Sequence, residues 1–403
     1  MKMNKIQVMS SHLANMIAAG EVVERPSGII KELIENALDA NSTSIEVHIE
    51  EGGMRSIRVI DNGDGMNKDD LLNAFKRHST SKIFDAKDLN HINTYGFRGE
   101  ALPSIASVST MITQTHNGQE GYELIIDNGV QKNFSVFARN KGTTVHVEDL
   151  FTKVPARLKY IKNIRYETAI IVDTVQKFAI SRPDIAFRLV DSEREVFRSL
   201  GQGSLKSVFY SVFGKTPSEN AFQIKESNFD FKIEGMFSQP EHTRSNRYQI
   251  WLYINDRMIR HSKIQSAVVE GFRRHIPKDI SPIGVLKIEV DPQLVDVNVH
   301  PSKWEIRLSK EEVLAQMVIE AIENKLTQKV SAPRIKIEET QTSMMDDLLK
   351  SEPQSVKEDT VIPVQPTIKE EKTPIYFKEE IEAVHEIHEE ATKQTEIEDK
   401  EVS

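Results

Sequence analysis

The segment Lys31–Asp39 carries four polar side chains at a spacing that suits an active-site helix. Glu32, Glu35, Asn36 and Asp39 occupy positions i, i+3, i+4 and i+7, so they share one face of a helix. The opposite face is apolar, which predicts a helix that is buried on one side and lines a polar pocket on the other. The alternative is an ordinary solvated surface with acidic residues, and this segment taken alone favours that alternative.

A second candidate is the loop Asp61–Met66, which directly follows a predicted strand. A carboxylate at a strand end, here Asp61, can accept a hydrogen bond from the exocyclic amine of adenine, and glycines allow the backbone to approach a ligand closely. A plain Asx-type turn is the alternative. A calcium-binding EF-hand is excluded, because its third and fifth positions would be Gly63 and Gly65, and its sixth would be Met66 instead of glycine.

The third candidate is the glycine-containing segment Tyr95–Ser104. Gly96 and Gly99 frame a short loop that runs into a predicted helix, which is typical of a lid that brings backbone N–H groups and a helix N-terminus to phosphates. The segment is not a Walker A loop, since it lacks the Gly-Lys-Ser/Thr ending. The preceding loop Arg77–Lys82 adds hydroxyl groups and a cation. A simple loop with a helix cap is the alternative.

The fourth candidate is Gly142–Val147, which enters a predicted strand. Thr143 is placed to hydrogen-bond water or a carboxylate in a pocket, although a simple strand start is the better interpretation of this segment alone. The four segments together, in this order, are far more specific than any one of them.

The composition excludes several classes of site and protein. The 403 residues include no cysteine, which excludes a disulfide framework, a cysteine nucleophile and thiolate zinc sites, and is compatible with a reducing compartment. No stretch approaches about 18 uninterrupted apolar residues, and the first residues lack the apolar core of a signal peptide. We therefore expect a cytoplasmic protein with no membrane span.

The charge is unevenly distributed along the chain. The net charge of −9 arises from residues 332–403, which hold nine Lys and Arg residues against 19 Asp and Glu residues. The rest of the chain is nearly balanced, with 43 Lys and Arg residues against 42 Asp and Glu residues. Few aromatic residues occur in this acidic part, so it is predicted to be a disordered tail or linker. The balanced body allows a basic DNA-binding surface without indicating one. Arg257 and Arg260 are either DNA-phosphate contacts or solvated loop charges.

Ahead of the tail, predicted helices and strands alternate. Ile29–Ala40 has a helical apolar stripe after Pro26, and two strands joined by a glycine turn follow at Ser44–Ile49 and Ser56–Ile60. The pattern restarts near Leu205. Further helices are predicted at about Lys68–Arg77, Glu100–Val108, Arg165–Ile180, Ile264–Arg273 and Glu311–Leu326. Further strands are predicted at about Thr110–Thr115, Tyr122–Ile126, Thr143–Glu148, Ala221–Ile224, Phe229–Phe237, Gln249–Ile254 and Ile283–Val290.

The four candidate segments together resemble the Bergerat-type ATPase site shared by gyrase B, the Hsp90 chaperone, histidine kinases and MutL. Within that group, the flanking sequences are similar to signatures of the MutL mismatch-repair family. These are Ile17–Pro26 near the start, Gly96–Leu102 in the lid and Asp296–Lys303 in a second domain. The resemblance covers about residues 4–330.

The resemblance implies roles for individual residues. Glu32 would be the general base that deprotonates the attacking water, and Asn36 would hold Mg²⁺ through its side-chain oxygen. Asp61 would read adenine, and Lys303 would reach the γ-phosphate from the second domain as a second catalytic residue. The other implied ATP-binding residues are Gly63, Gly65, Thr80, Ser81, Lys82, Gly96, Phe97, Arg98, Gly99, Glu100, Ala101, Leu102 and Thr143.

The resemblance also implies an α+β fold. A Bergerat (GHKL) ATPase sandwich is expected at 4–205, with a mixed sheet and helices on one face, and an α/β domain similar to the second domain of ribosomal protein S5 at 206–331. The acidic disordered tail at 332–403 would follow. The family normally carries a C-terminal dimerisation domain, often with a metal endonuclease, and neither is visible here, so a fragment and a short family member are both possible. His385 and His388 have metal-ligand spacing, but a disordered tail is the better interpretation.

The implied function is weak, Mg-dependent ATP hydrolysis in DNA mismatch repair. ATP binding and slow turnover would gate homodimerisation, weak and non-sequence-specific DNA binding, and coupling of a MutS-type mismatch sensor to downstream repair enzymes at the nucleoid. A histidine kinase would need a phospho-acceptor helix before Glu32, where only about thirty residues stand. The Ile17–Pro26 and Val297–Lys303 signatures argue against a chaperone or a topoisomerase. A structural protein that binds ATP without hydrolysing it stays open, because the presence of Glu32 does not set a rate.

Overall fold

The computed structural model describes residues 24–77, 79–80, 95–96, 99–159, 161, 163–296 and 307–331. The helices within these ranges are α1 (Pro26–Asp39), α2 (Lys68–Ala74), α3 (Ala101–Ala106), α4 (Pro155–Leu158), α5 (Ile164–Ser181), α6 (Leu205–Phe213), α7 (Lys215–Ser218), α8 (Ser262–Gly271) and α9 (Glu311–Ser331). Short 3-10 turns lie at Glu51–Gly53 and Pro292–Leu294.

The strands of the first sheet are β1 (Ser44–Glu50), β2 (Ser56–Asp61), β3 (Thr110–His116), β4 (Gly121–Asp127), β5 (Val130–Val136), β6 (Gly142–Glu148), β7 (Ala186–Asp191) and β8 (Arg194–Arg198). The later strands are β9 (Phe222–Ser227), β10 (Phe231–Phe237), β11 (Thr243–Arg244), β12 (Ile250–Ile254), β13 (Arg257–Ile259), β14 (Ser281–Pro282), β15 (Gly284–Val290), β16 (Val295–Asp296) and β17 (Arg307–Leu308).

The first sheet has eight strands in the order β5-β4-β3-β6-β2-β1-β7-β8. Neighbouring strands are antiparallel except β1 and β7, which are parallel. Along β1, the side chains of Ile45, Val47 and Ile49 are buried while those between them are half-exposed, so only one face of the sheet is apolar. Helices α1, α3 and α5 cover that face. The mixed sheet with helices on one face is therefore confirmed.

Helix α1 forms because a proline that favours the first turn of a helix is followed by an apolar stripe at helical spacing. Pro26 stands in the first turn, where its missing N–H is not needed, and Ile29, Ile30, Leu33 and Ile34 are at most 3% exposed. Burying each of these side chains stabilises the fold by about 1.5–3 kcal/mol. The same packing turns the polar side of the helix away from the sheet, and this orientation positions the candidate site.

The second sheet has five strands in the order β13-β12-β15-β10-β9, all antiparallel except the β12–β15 pair. Helices α8 and α9 pack against each other and against this sheet. The rings of Phe222, Phe237 and Phe272 lie within 6.0 Å of one another, centroid to centroid, in the core between them. This second core is separate from the first.

The two sheets meet through the C-terminal half of α5. The buried Tyr253 hydroxyl of β12 donates a 2.9 Å hydrogen bond to the carbonyl oxygen of Lys177, and Lys287 of β15 donates a 2.7 Å bond to that of Ser181. Trp251 lies against Lys177 and the ring of Phe213. The end of α5 is therefore fastened to the second sheet by backbone acceptors as well as by packing.

The predicted helices and strands are present, with small shifts at their ends. Helices α4, α6 and α7 and strands β5, β7, β8, β11, β13, β14, β16 and β17 were not predicted. The division near residue 205 stays a prediction; α6 begins there, and its apolar side chains join the first core. The signatures at 17–23 and 297–303 and the tail at 332–403 lie outside the described residues. Within the described ranges, no helix is long and apolar enough to cross a membrane.

Candidate active site

The polar face of α1 holds a network of charges. Lys31 Nζ lies 3.4 Å from Glu35 Oε1 and 3.7 Å from Glu32 Oε1. Glu35 is buried, whereas Glu32 is 29% exposed and Asn36 is half-buried. Burial on its own lowers the pKa of Lys31, but Glu35 and Glu32 together raise it above its ordinary value. This face is therefore a partly enclosed polar surface with Glu32 on its open side.

Asp39, at the C-terminal end of α1, binds the start of the glycine-containing segment. The backbone N–H of Tyr95 donates to Asp39 Oδ1 at 3.0 Å, and that of Gly96 donates to Oδ2 at 3.1 Å. Both carboxylate oxygens of Asp39 therefore accept hydrogen bonds from backbone N–H groups of this segment. The contact brings the third candidate segment against the helix that carries Glu32.

Asp61 is the last residue of β2 and is only 9% exposed. Its Oδ1 accepts the N–H of Gly63 at 2.8 Å and that of Thr143 at 3.2 Å. Burial raises the pKa of Asp61 above its ordinary value, and this effect exceeds the opposing effects of the two N–H groups and of the nearby Arg139. The second and fourth candidate segments therefore meet at one buried carboxyl group.

A second polar group beneath this loop is Thr115, which is fully buried in β3. Its hydroxyl accepts the N–H of Met66 at 2.9 Å and lies 3.1 Å from the hydroxyl of Thr143. Gly65 has a φ of +70°, and a side chain there would collide with the carbonyl oxygen of His116. The glycine is required because the loop lies directly on the end of β3.

Asp64 belongs to the same loop but faces the solvent. Its N–H donates to the carbonyl of Ala40 at 2.8 Å, which links the loop to the end of α1. Its side chain is 57% exposed and accepts from Asn41 at 2.8 Å and from Lys141 at 2.9 Å. Asp64 therefore fastens the loop from outside, whereas Asp61 lies inside.

The far end of the glycine-containing segment is also anchored. Gly99 has a φ of +60°, and a side chain there would collide with the backbone of Ser79, so the two loop ends are in contact. The Glu100 carbonyl accepts the N–H of Ser104 at 3.1 Å and begins α3, which contains Ala101 and Leu102. Leu102 packs against the first core.

Hydrogen bonds thus join the described parts of all four candidate segments: Asp39 of α1 binds the third, Asp64 links the second to the end of α1, and Asp61 binds the fourth. Thr80, a predicted site residue within the described ranges, is half-buried. Five predicted site residues lie outside the described residues, and their roles stay predictions: Ser81, Lys82, Phe97, Arg98 and Lys303.

Three residues of the site were not predicted. Thr115 had a signal in the sequence, because Thr113 and Thr115 occupy inward positions of an otherwise apolar strand face. Lys31 begins the first candidate segment, but no role was predicted for it. Arg139 lies in the loop before β6, donates to the carbonyl of Gln114 and stands near Asp61, and no spacing rule marks it.

The two arginines of the second domain differ in their surroundings. The Arg257 guanidinium carbon lies 5.9 Å from the centroid of the Tyr95 ring, so this side chain faces the first domain. Arg260 is exposed. A DNA-phosphate contact stays a prediction for both arginines, and Arg257 also contacts Tyr95 of the first domain.

Two sequence families match the chain. Residues 24–153 match the family described as histidine kinase-, DNA gyrase B-, and HSP90-like ATPase. Residues 209–327 match the C-terminal domain of the DNA mismatch repair protein family. The first match contains the described candidate site residues, and the second contains Arg257.

Several curated relatives are named DNA mismatch repair protein MutL. The chain is 45% identical over 343 residues to the DNA mismatch repair protein MutL of Shouchella clausii, covering 85% of this chain and 52% of that protein. It is 46% identical over 322 residues to MutL of Halalkalibacterium halodurans, covering 80% and 50%. The chain therefore spans about half the length of the curated relatives that it matches.

Solved structures are similar in fold. The ATPase domain of Aquifex aeolicus MutL complexed with ADP has a TM-score of 0.52 and 27% identity, covering 67% of this chain and 94% of that one. The N-terminal domain of a DNA repair protein has a TM-score of 0.66 at 24% identity, covering 79% and 100%. The two family matches, these relatives and the shared fold together show that the chain belongs to the MutL family of DNA mismatch repair proteins.

Proposed function

We propose that this chain binds ATP and Mg²⁺ and hydrolyses ATP slowly as the ATPase region of a mismatch-repair protein. The observation that carries the proposal is the buried carboxyl group of Asp61, held by Gly63 and Thr143 where the candidate segments meet. Family membership supports it, as does a structural neighbour that is complexed with ADP.

The surroundings of Asp61 fit an adenine ring. Both protein N–H groups reach Oδ1, so we assign Oδ2 to the exocyclic amine of adenine. A donor at this position would add to the interactions of the buried carboxylate, which the Ser42 hydroxyl also stabilises. Gly63 and Gly65 carry no side chains on the loop that would border the purine, and Thr143 and Thr115 hold that loop in place.

The polar face of α1 fits Mg²⁺ and the phosphates. Asn36 offers a neutral oxygen one helical turn after Glu32, so it would hold the metal without adding negative charge beside a triphosphate. Mg²⁺ in such sites takes one or two protein ligands and keeps several waters. When bound, it would neutralise charge on the phosphate oxygens.

Glu32 is the proposed general base. A carboxylate oxygen of Glu32 accepts a proton from the water that attacks the γ-phosphate. Lys31 Nζ lies 3.7 Å from Glu32 Oε1 on the same helix. Asp39 contributes indirectly, since it fixes the backbone of Tyr95 and Gly96 beside the same helix.

The phosphate-binding assignments rest on the family resemblance. The proposed phosphate contacts are Thr80, Ser81, Lys82, Gly96, Phe97, Arg98, Gly99, Glu100, Ala101 and Leu102. Lys303 is the proposed γ-phosphate contact from the second domain, where its charge would stabilise the transition state.

At the level of the repair pathway, we propose a cytoplasmic, nucleoid-associated switch. ATP binding brings two chains together and presents a weak, non-sequence-specific DNA-binding surface. A MutS-type mismatch sensor and downstream repair enzymes are the proposed partners. Curated relatives named as mismatch-repair proteins support this assignment.

A steady-state ATPase assay on the purified chain separates this proposal from ATP binding without hydrolysis. Wild-type protein should release phosphate slowly in Mg²⁺, and Glu32→Ala should stop release while leaving ATP binding largely intact. Glu193→Ala, at an exposed turn between β7 and β8, is the matched control and should hydrolyse at the wild-type rate. Hydrolysis by Glu32→Ala at the wild-type rate would remove Glu32 from the role of base. Absence of hydrolysis by the wild type would favour the binding-only protein.

A further inference from the structure

The turn between β12 and β13 is held rigidly by the second sheet. Asn255 and Asp256 both have positive φ values, 46° and 62°, so they form the two-residue turn that matches the twist of a hairpin. The Asn255 side chain exchanges hydrogen bonds with the backbone of Val290, with its amide 2.9 Å from the carbonyl and its oxygen 3.0 Å from the N–H. The residue that follows this turn, Arg257, therefore leaves it in a fixed direction.

The same turn is fastened to the first domain. The carbonyl of Asp256 accepts a hydrogen bond from the hydroxyl of Ser181, the last residue of α5. The Asp256 carboxylate pairs with Lys287 at 2.8 Å, and Lys287 also donates to the Ser181 carbonyl. Arg257 is therefore presented at the contact between the two domains.

Arg257 lies against the candidate site at Tyr95. Its guanidinium carbon lies 5.9 Å from the centroid of the Tyr95 ring, within the range of a cation–π contact. Its positive charge also lowers the pKa of Lys31, although Glu35 and Glu32 raise that pKa by more. The N–H groups of Tyr95 and Gly96 are bound by Asp39, so the ring that Arg257 touches belongs to a backbone segment fixed on α1.

We propose that Arg257, supplied by the second domain, is a positioning residue for ATP hydrolysis, because its contact with Tyr95 holds the Tyr95–Gly96 backbone on Asp39. The inference rests on the proposed ATPase function. It ties turnover to correct docking of the second domain. Binding of the adenine group depends on Asp61 and Thr143, at the other end of the site, and is independent of this contact.

A double-mutant cycle in the ATPase assay tests the contact. Arg257→Ala and Tyr95→Leu should each lower kcat by about tenfold, the size expected for a cation–π contact between two half-buried side chains. The double variant should lose no more than either single variant, because one contact is removed in all three. ADP affinity should stay within about twofold of the wild type, since the adenine site is untouched.

Conservative variants separate positioning from a general loss of structure. Arg257→Lys keeps a cation and should recover part of kcat, and Tyr95→Phe keeps the ring and should approach wild-type turnover. Arg273→Ala, a 72% exposed arginine paired with Glu270 on the same domain, should leave kcat unchanged. Wild-type kcat in Arg257→Ala, or multiplied losses in the double variant, would overturn the inference. Equal losses in Arg257→Lys and Arg257→Ala, accompanied by the same fall in melting temperature, would also overturn it.

The measurements distinguish a failure of the proposed ATPase function from a failure of the inference about Arg257. If the wild type hydrolyses no ATP, the ATPase proposal fails, and the same cycle is then measured on affinity for a Mg-bound non-hydrolysable ATP analogue. Non-additive losses in that affinity would still support the Arg257–Tyr95 contact as a positioning element, and additive or absent losses would overturn it.

Discussion

Replacing Asp61 by Asn tests how the site recognises adenine. Asparagine keeps one oxygen that accepts from Gly63 and Thr143, so the loop should stay in place. Its amide group would then face the adenine amine, donor against donor, where the carboxylate oxygen had accepted. A hydrogen bond to a charged group contributes about 1.5–3 kcal/mol. Because Asp61 is only 9% exposed, water screens little of this, and ADP affinity should fall by about 10- to 150-fold.

Isothermal titration calorimetry with ADP measures this loss directly, and Asp64→Asn is the matched control. Asp64 lies three residues further along the same loop, carries the same charge and is 57% exposed. Its substitution removes surface contacts to Asn41 and Lys141 and should change ADP affinity by less than about threefold. Wild-type affinity in Asp61→Asn, or equal losses in the two variants, would refute the adenine assignment.

Asn36→Ala should weaken binding of Mg-ATP in calorimetry while leaving Mg-free ADP affinity within about twofold; unchanged Mg-ATP affinity would remove Asn36 from the metal site. Deleting 332–403 takes away a net charge of about −10 and should preserve or strengthen a salt-sensitive DNA affinity measured by fluorescence anisotropy. A clear loss on truncation would contradict this. Burial raises the pKa of Glu167 and its partner Arg25 lowers it, so this group favours folding at low pH, and that contribution is lost as pH rises through the raised pKa. In urea unfolding, wild type should therefore lose stability relative to Glu167→Gln as the pH rises from the ordinary pKa of a glutamate through the raised pKa of Glu167; a difference that does not change with pH would contradict the assignment.

Sequence periodicity predicted the helices and strands that have one buried face and one exposed face. The stripe of Ile29 to Leu38 and the alternation in Ser44–Ile49 follow directly from one apolar and one polar face. Strand β5 was missed because residues 130–133 are exposed in this edge strand, so no apolar alternation marks it. Helix α6 was overlooked although it carries a local signal, because Leu205, Val208 and Phe209 follow helical spacing directly after the N-cap residue Ser204.

The candidate site was predicted in its chemistry more than in its geometry. Asp61 and Thr143 were expected in one pocket, and they share a hydrogen bond. The binding of Tyr95 and Gly96 by Asp39 was not expected, because the partners are 56 and 57 residues apart and a backbone donor leaves no mark in composition. The position of Arg257 depends on how the domains dock, and no motif spacing contains that information.

The central claim is that the chain is a switch that distinguishes ATP from ADP, and its mass in solution tests this most directly. Light scattering is recorded with no nucleotide, with ADP and with a non-hydrolysable ATP analogue, each well above its dissociation constant and with Mg²⁺. A ligand shifts an equilibrium only by its differential affinity for the two states, and the γ-phosphate supplies that difference. The chain is expected to be a dimer with the analogue and a monomer in the other two conditions. The same mass in all three conditions would contradict it.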